Sequence, residues 1–367
     1  MAVTRRKLLQ ITGGGVILAA TGAAAFLGTR TPTKALLPWE QAGTYTEPRR
    51  RALSYAILAP NPHNRQPWEV DLSEENTIFV WRDKQRNLPE TDPLDRQLTI
   101  GMGCFLELLT MAAGEDGYAV ETDLFPEGVS GPVAVVRFKP GGNIDPLFAH
   151  VMSRRSCKEP FESRAVTKDQ ITTLESIADV HATPSKVAQI KALTVDAWLV
   201  EVTTRRTMKE SVDLFRLGKS EINANPDGID LGGPFLETVI LLGMLTREGQ
   251  LDTTSSEFEQ GKSMYEKMLI STPAYASITS KTNTRADQIE AGRRWLRLNL
   301  LTTSLGLALH PVSQALQEYP EMEQHYRTAH EMLAAPGHTV QMLGRLGYGP
   351  LTPRTPRWQL DSRIINA

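Results

Sequence analysis

The sequence predicts an α+β fold, and three observations support that class. Long apolar segments with helical spacing occupy residues 98–113 and 287–309, and shorter segments of strand type surround the first of them. Apolar residues make up 41% and charged residues 22% of the chain, which are ordinary proportions for a globular protein. Its 367 residues are enough for two ordinary domains or one large fused domain.

The part of the chain before residue 150 is predicted to alternate helices and strands. Leu53 and Ile57, four residues apart, give residues 49–59 one apolar helical face. Asp92 is predicted to cap the buried helix of residues 98–113, in which Gly101 and Gly103 permit a second helix to approach closely. Four strands are predicted, the last two as an antiparallel pair around a turn: residues 69–72, 77–81, 118–125 and 133–138.

The remainder of the chain is predicted to be richer in helix. Thr167 and Gln170 form a capping box at a helix start. The other predictions are these: a strand or loop passing into a helix over 192–217, irregular structure over 218–233, an amphipathic segment over 255–269, a central buried helix over 287–309, and a strand over 339–343 followed by a glycine-rich turn at 344–349.

The N-terminal residues 1–28 are predicted to be a twin-arginine export signal. Arg5 and Arg6 precede a weakly hydrophobic run over 11–27, and Ala23–Ala25 offers a cleavage site. The alternative is an uncleaved membrane anchor, although this run is at the short limit for crossing a bilayer. Export by this route delivers a folded protein outside the cytoplasm and requires the twin-arginine translocase. Residues 29–45, with two prolines and a glycine, are predicted to be a linker.

Charge and cysteine content exclude several kinds of function. The net charge of −2 gives no electrostatic basis for nucleic-acid binding. Two cysteines rule out a disulfide-rich scaffold, and the seven histidines form no metal-ligand pattern. No dedicated base is evident from the sequence.

Two motifs carry the functional interpretation. The first is Ala59-Pro-Asn-Pro-His-Asn-Arg-Gln-Pro-Trp68, in which three prolines stiffen a turn that presents amide side chains with both donors and acceptors. Such a turn can bind the edge of a flat heterocycle, or it can be a stiff connection before a strand. The second is Ser153-Arg-Arg-Ser-Cys-Lys-Glu-Pro-Phe161, whose guanidinium and hydroxyl groups suit phosphate oxygens.

Together the two motifs resemble those of nitroreductase-type FMN proteins. In ordinary members the basic motif comes first, whereas here it follows the turn motif by roughly ninety residues. Two family halves fused in one chain would give this order, and the arrangement is similar to the Acg-like tandem branch. The resemblance runs from Arg49 to Arg357 and includes a C-terminal Gly-Arg-Leu-Gly-Tyr-Gly. It implies a nitroreductase-like pseudo-dimer with halves at 46–150 and 151–367 and a lid insertion at about 218–285.

The resemblance also implies which residues bind FMN. Lys158 is expected near flavin N1 and the C2 oxygen, where negative charge accumulates on reduction. The backbone of Val312 and Ser313 is expected to donate to flavin N5, and Arg354 to join the phosphate site in preference to Arg345 and Arg357. The turn motif is expected to meet the isoalloxazine through Asn61, Pro62, His63, Asn64 and Gln66, and the basic motif to bind the phosphate through Arg154, Arg155 and Ser156.

The resulting expectation is an FMN-dependent oxidoreductase that acts as a monomeric pseudo-dimer. Electrons would pass from NAD(P)H or another donor, unknown outside the cytoplasm, through flavin N5 to a nitro-aromatic, quinone or similar small acceptor. Two alternatives stay open. One is an FMN-sequestering protein without turnover, and the other is a flavin-modifying or dehalogenating relative.

Overall fold

The computed structural model describes residues 29–367, so the predicted export signal lies outside the described residues. The described chain is a mixed α+β structure with a five-stranded sheet, a four-stranded sheet and one small parallel strand pair. This confirms the predicted fold class.

The first sheet has the strand order β11-β1-β2-β4-β3. Neighbouring strands are antiparallel, except that the C-terminal strand β11 runs parallel to β1. The end of the chain therefore completes the sheet that its beginning forms. The predicted strands are confirmed within a residue or two, and the bounds are β1 Trp68–Asp71, β2 Thr77–Arg82, β3 Tyr118–Leu124, β4 Ala134–Pro140 and β11 Ile364–Asn366.

The second sheet is antiparallel, with the order β5-β8-β10-β9. Its strands are β5 Asp179–His181, β8 Ala274–Ser280, β9 Ala308–Pro311 and β10 Thr339–Gly347. The prediction that β10 stops at Leu343 is wrong, because Gly344 and Gly347 continue to pair with β9. Gly344 suits this place because the Trp295 ring occupies the space that a Cβ would need. The small pair consists of β6 Phe215–Leu217 and β7 Ile229–Leu231.

Helices flank both sheets. Their bounds are α1 Thr33–Gln41, α2 Pro48–Ala56, α3 Arg96–Glu115, α4 Lys168–Leu174, α5 Pro184–Thr203, α6 Arg205–Asp213, α7 Gly218–Ala224, α8 Pro234–Leu241, α9 Arg247–Leu251, α10 Ser256–Ile270, α11 Arg285–Ser304 and α12 Glu323–Leu333. Two predicted helix starts are confirmed. The Asp92 carboxylate accepts from the amides of Gln97 and Leu98 at 3.0 and 2.9 Å, and Thr167 and Gln170 form the capping box.

Three stretches differ from the sequence predictions. The predicted linker contains α1, whose Trp39 is only 2% exposed. Residues 192–217 contain the end of α5, then α6 and the short strand β6, and residues 218–233 contain α7 and β7 instead of irregular structure. Strand β8 is central to the second sheet, so the stretch that could form a lid ends before Ala274. In each stretch, packing against the rest of the chain orders segments whose own sequence pattern is weak.

The two long helices α3 and α11 form the centre of the molecule. Gly103 on α3 lies against the carbonyl of Ile289, and Gly292 on α11 lies against the carbonyl of Ile100, so neither position has room for a Cβ. Within residues 29–367, α3 is apolar and long enough to cross a membrane, but 89% of its most apolar window is buried inside the protein. It is therefore packed as a core helix.

Adding one methyl group at this crossing tests how tightly the helices pack. We expect Gly103→Ala to lower the free energy of unfolding by about 1–3 kcal/mol, since backbone atoms cannot move aside without shifting a helix. Urea unfolding measures the change. The matched control is Gly261→Ala on α10, where the new Cβ meets only the flexible end of Gln250 and helix propensity improves. Equal stability of both variants would contradict close packing at this crossing.

Candidate functional site

The turn motif is a strained segment. His63, Asn64 and Gln66 have φ angles of 47°, 50° and 49°, a left-handed conformation that costs non-glycine residues free energy. Side chains hold the turn closed: the Asn61 Oδ1 accepts from the Gln66 amide at 2.7 Å, and the Asn61 Nδ2 donates to the Ala59 carbonyl at 3.1 Å. Strain of this kind persists only where the surroundings enforce it.

The buried Gln66 side chain joins three parts of the chain. Its Nε2 donates to the Pro226 carbonyl at 2.6 Å, and its Oε1 accepts from the Trp358 amide at 2.9 Å. Gln66 thereby fixes the turn between the segment after α7 and the C-terminal segment. Both ends of this amide are already occupied by protein, and a flavin contact by Gln66 remains a prediction.

Two buried arginines form hydrogen bonds with the turn motif and with Leu58, the residue before it. Arg357 donates to the Asn64 Oδ1 at 2.7 Å and to the carbonyls of Leu58 and Ala59 at 3.1 Å. Arg154 donates to the same Leu58 carbonyl at 3.0 Å and to the Asn299 Oδ1 on α11 at 3.0 Å. The structure therefore brings the turn motif and the basic motif together, as the sequence predicts.

We call the contact between the turn motif and the basic motif the junction. An arginine cluster lies beside this junction, around the indole of Trp39. The guanidinium carbons of Arg155, Arg354 and Arg357 lie 5.2, 5.4 and 5.9 Å from the ring centre. The Trp39 Nε1 donates to the Thr355 carbonyl at 2.8 Å, which fixes the ring in place. Helix α1, which the sequence analysis assigns to a linker, thus covers the cluster.

The cluster lacks acidic partners. The ion pairs formed by residues 29–367 join none of Arg154, Arg155, Arg354 and Arg357 to a carboxylate. Burial lowers the pKa of Arg154 to about 10 and that of Arg357 to about 9. Burial, with Arg354 nearby, also lowers the pKa of Arg155. The Asp230 carboxylate acts on Arg357 without forming an ion pair with it, so the cluster keeps an excess of buried positive charge that suits an anion.

Buried polar atoms without a partner mark the same region. They are the Nε of Arg357, the Oγ1 of Thr352 and the Nδ1 of His63. Buried donors and acceptors are normally paired, so these three atoms are free to bind a ligand, although unpartnered buried atoms also occur away from this region, at Ser211 and Tyr319. The neighbouring Arg155 donates to the Thr352 carbonyl at 3.2 Å, which connects the basic motif to the C-terminal segment.

Lys158 of the basic motif is close enough to the turn motif for its charge to act on His63. It is exposed, and its charge acts on the neighbouring groups His63, His310 and Asp230. Burial lowers the pKa of His63 to about 4, with Lys158 and Arg65 contributing, so His63 is neutral at pH 7. Burial raises the pKa of the Asp230 carboxyl, although its side chain remains exposed.

The two backbone donors predicted for flavin N5 differ in the structure. The amide of Val312 already donates to the Leu343 carbonyl at 2.9 Å, so the prediction for Val312 is wrong. That amide belongs to the continuation of the β9–β10 pairing, which the sequence pattern did not reveal. Ser313 follows at the end of the strand and is half-buried, and its role as a donor remains a prediction.

The predicted lid is fastened to the turn motif through Asp227. Its buried carboxylate accepts from Arg65 at 3.1 Å, from Arg86 at 2.8 Å and from Arg216 at 2.7 Å. The amide of Gly228 also donates to the Asn64 carbonyl at 3.3 Å. The segment between α7 and α8 therefore lies directly against the candidate site.

Other parts of the described chain are weaker candidates for a binding site. Arg345 is buried and donates to the Thr272 Oγ1 at 2.7 Å and to the Glu159 carbonyl at 3.2 Å, and it stacks on Phe161. No group of three or more His, Cys, Asp or Glu side chains within residues 29–367 could hold a metal ion. Two cavities of about 630 and 670 Å³ are lined by residues outside the junction.

Sequence reasoning missed several residues of the junction. Trp39 was assigned to a linker, although Ala35 and Trp39, four residues apart, are a helical signal that could have placed it on a packed face. The sequence analysis prefers Arg354 to Arg357 for the phosphate site. In the structure it is Arg357 that binds the turn motif, through Asn64 and the Ala59 carbonyl. Asn299 and Asp227 have no local signature, because their partners lie far away in sequence.

The lowered pKa of His63 predicts a pH dependence of stability. Because the folded protein disfavours protonated His63, the unfolded chain takes up this proton first when the pH falls below about 6.5. The cost to stability grows as the pH falls from 6.5 to about 4, and it is absent above that interval. We therefore expect the free energy of unfolding to fall less steeply in His63→Gln than in the unchanged protein.

Urea unfolding at a series of pH values measures this difference. Values above pH 7 serve as the internal control, because His63 is neutral there in both the folded and the unfolded chain and only the structural effect of the substitution remains. Parallel curves for the two proteins across the acidic interval would show that His63 titrates normally.

No family model matches the chain. The protein acg of Mycobacterium tuberculosis, which is named as an NAD(P)H nitroreductase, is 32% identical over 77 residues. This match covers 21% of the present chain and 23% of that protein, so the chain aligns with less than a quarter of that relative's length.

Longer matches have lower identity. Rv3131 of Mycobacterium tuberculosis, also named as an NAD(P)H nitroreductase, is 24% identical over 331 residues, which is 86% of this chain and 90% of that protein. PigM of a Serratia species carries the same kind of name and is 21% identical over 296 residues, which is 75% of this chain and 82% of that protein.

Among solved structures, the FMN-dependent nitroreductase NfnB of Mycobacterium smegmatis, in complex with NADPH, has a TM-score of 0.37 and 16% identity, covering 59% of this chain and 96% of that one. A nitroreductase from Anabaena variabilis has a TM-score of 0.40 and 12% identity, covering 75% of this chain and 69% of that one. These TM-scores are too low to show a shared function. The names of the curated relatives support the resemblance to the nitroreductase-like superfamily that the two motifs indicate.

Proposed function

We propose that this chain is an FMN-dependent oxidoreductase of nitroreductase type. The observation that carries the proposal is the junction at which Arg154 and Arg357 hold the strained turn, beside an arginine cluster that forms no ion pair with a carboxylate of the described residues. One side of this junction suits a phosphate and the other suits the edge of a heterocycle. The nitroreductase names of relatives that span most of the chain support the same reaction class.

The residues present fit FMN. Arg155, Arg354 and Arg357, with Ser156 and the open Thr352 Oγ1, would hold the phosphate, since they bring three cations and two hydroxyls against the single nearby carboxylate of Asp230. The turn from Asn61 to Gln66 would face the isoalloxazine, with His63 Nδ1 available as an acceptor or donor. When bound, FMN supplies transfer of hydride or electrons, which no side chain of this protein can perform.

The remaining residues of the site set its environment. Lys158 brings a positive charge to the predicted pyrimidine edge and stabilises negative charge that develops there. His63 is neutral at pH 7, so it offers hydrogen bonding without a second positive charge. The segment around Asp227 covers the turn and limits the entry of water.

The proposal includes the organisation of the chain as two fused halves. The two main sheets correspond to two fused nitroreductase-like halves, joined through α3 and α11 and by the return of β11 to the first sheet. Each half contributes one motif, so we propose one FMN site per chain and a monomeric pseudo-dimer. A twin-arginine signal in residues 1–28 would export the folded, loaded protein outside the cytoplasm.

The electron partners are also proposed. NAD(P)H is the reductant in the names of the relatives, but an exported protein would need a donor present outside the cytoplasm. The acceptor is a nitro-aromatic, quinone or similar small molecule. A flavin-modifying or dehalogenating activity would use the same site with a different substrate.

A second candidate function is FMN sequestration without turnover. Asp227 favours it, because three arginines fix this one carboxylate and Gln66 adds a further bond to Pro226. A lid held this firmly could deny a reductant access to the flavin. The two functions share the binding site and differ only in whether the bound flavin can be reduced.

Removing one cation from the cluster tests the phosphate site. We expect Arg354→Gln to raise the Kd for FMN by about tenfold or more, because a charge-assisted hydrogen bond contributes about 1.5–3 kcal/mol. The Kd for riboflavin, which lacks the phosphate, should not change. Fluorescence titration of both flavins measures the two constants.

The control is Arg164→Gln, which removes an exposed arginine that stacks on Tyr348 away from the cluster. Its affinities for both flavins should equal those of the unchanged protein. If Arg354→Gln weakens FMN and riboflavin equally, the cluster does not hold the phosphate, and if neither flavin binds the unchanged protein, the proposed function fails.

Anaerobic reduction separates the enzyme from the sequestering protein. The oxidoreductase predicts that NADPH or NADH bleaches the bound flavin and that a quinone or nitro-aromatic restores its absorbance. Sequestration predicts that only dithionite bleaches it. The matched variant is Asp227→Asn, which weakens the lid attachment and should speed bleaching by a nicotinamide if the lid limits access.

A further inference from the structure

We propose that Lys191 is a covalent binding site for a small apolar aldehyde, which its amine captures as an imine. Lys191 lies on α5 and lines the cavity of about 670 Å³. This cavity shares no residue with the turn motif or the basic motif, so the inference does not depend on the proposed flavin site.

The walls of this cavity are mainly apolar. Val187 and Val195 stand one turn before and one turn after Lys191 on the same face of α5, and both line the cavity. Ile270 at the end of α10, which is 50% exposed, and Pro273 before β8 add to the lining from another part of the chain. A ligand in this cavity therefore meets aliphatic side chains beside one amine.

Lys191 has no acidic partner. On a helix, a lysine commonly pairs with an acid three or four residues away, as Lys209 does with Asp213 and Lys262 with Glu259. The corresponding positions around Lys191 hold two valines, an alanine and a threonine. The ion pairs formed by lysines within residues 29–367 do not include Lys191. Its ammonium form is therefore not stabilised by a paired carboxylate.

Asp196 lines the same cavity without changing this conclusion. It is five residues from Lys191, which is not a pairing distance on a helix, and its side chain is exposed. Burial is the sole cause that lowers the pKa of Lys191, and no carboxylate acts against it. A larger fraction of this amine than of an ordinary lysine is therefore uncharged and nucleophilic near neutral pH.

Imine formation at Lys191 needs no reactant other than the aldehyde. The lone pair of the uncharged Nζ attacks the carbonyl carbon, and a proton passes from the nitrogen through water to the carbonyl oxygen, which gives a carbinolamine. The nitrogen then loses its second proton and forms the C=N bond, while the oxygen takes up a proton and leaves as water. Neither an oxidant nor a reductant takes part, and hydrolysis reverses the reaction.

The cavity walls indicate the class of aldehyde. Its hydrocarbon part would cover Val187, Val195 and Ile270, and burial of apolar area stabilises the bound state. A polar aldehyde of the same reactivity would lack this contribution. We therefore assign an apolar aldehyde to the site.

Reductive trapping on the full chain tests the proposal. The probe is hexanal at pH 7 with cyanoborohydride, which converts an imine to a stable secondary amine, and peptide mass spectrometry follows the modified fraction of each lysine with time. We expect Lys191 to react about fivefold or more faster than Lys209 and Lys262, whose ammonium groups are paired. With glycolaldehyde, which is small, neutral and polar, the preference for Lys191 should be smaller.

The matched variant is Ala188→Glu, which places a carboxylate three residues from Lys191 at an exposed position of α5. The new acid pairs with Lys191, so the hexanal rate at Lys191 should fall to the rates of Lys209 and Lys262. The control is Gln189→Glu, which adds the same charge at an exposed position two residues from Lys191, on another side of the helix. Its rate at Lys191 should equal that of the unchanged protein.

Three results would overturn the proposal. Equal hexanal rates at Lys191, Lys209 and Lys262 in the unchanged protein mean that Lys191 is an ordinary surface lysine. An equal preference for Lys191 with hexanal and with glycolaldehyde means that the cavity does not bind the apolar part. An unchanged rate in Ala188→Glu, with the fold verified by circular dichroism, means that the missing acid does not set the reactivity. The comparison of the two aldehydes uses the unchanged protein and holds even if a variant does not fold.

Discussion

The guanidinium of Arg357 is the interaction on which the candidate site depends. It reaches Asn64 across 293 residues of sequence and also binds the carbonyls of Leu58 and Ala59, which follow the helix before the turn. Three left-handed residues in the turn cost about 1–3 kcal/mol each. Hydrogen bonds from a charged donor contribute about 1.5–3 kcal/mol each, which is the same order. The C-terminal segment thus holds the turn in a conformation that its own sequence disfavours.

The same arginine gives the site its electrostatic character. Arg154 and Arg357 are buried with lowered pKa values, and Arg155 and Arg354 add charge around Trp39. Without an anion, these cations destabilise the folded chain. An anion that binds only the folded state stabilises it, by about 2.7 kcal/mol at a concentration of 100 Kd. Folding and cofactor loading are therefore coupled in this account.

The sequence predicted much of the fold because the helices and strands of the first sheet carry their own periodicity. The two motifs were also recognisable, since prolines, amides and arginines at close spacing are local features. Trp39, Asn299 and Asp227 could not be assigned in this way, because their partners come from distant parts of the chain. Val312 was misassigned because a backbone amide that joins a strand pair has no side-chain signature. The left-handed turn was equally hidden, since its residues are not glycines.

The buried carboxylate of Asp227 holds the segment between α7 and α8 against the turn motif. The central claim is that two motifs from different parts of the chain make one flavin site. Titration of FMN into the apo-protein, followed by visible absorbance of the bound flavin, tests it most directly. The account predicts saturation at one FMN per chain. Saturation at two would mean that each half holds a complete site, and no saturable binding would contradict the account.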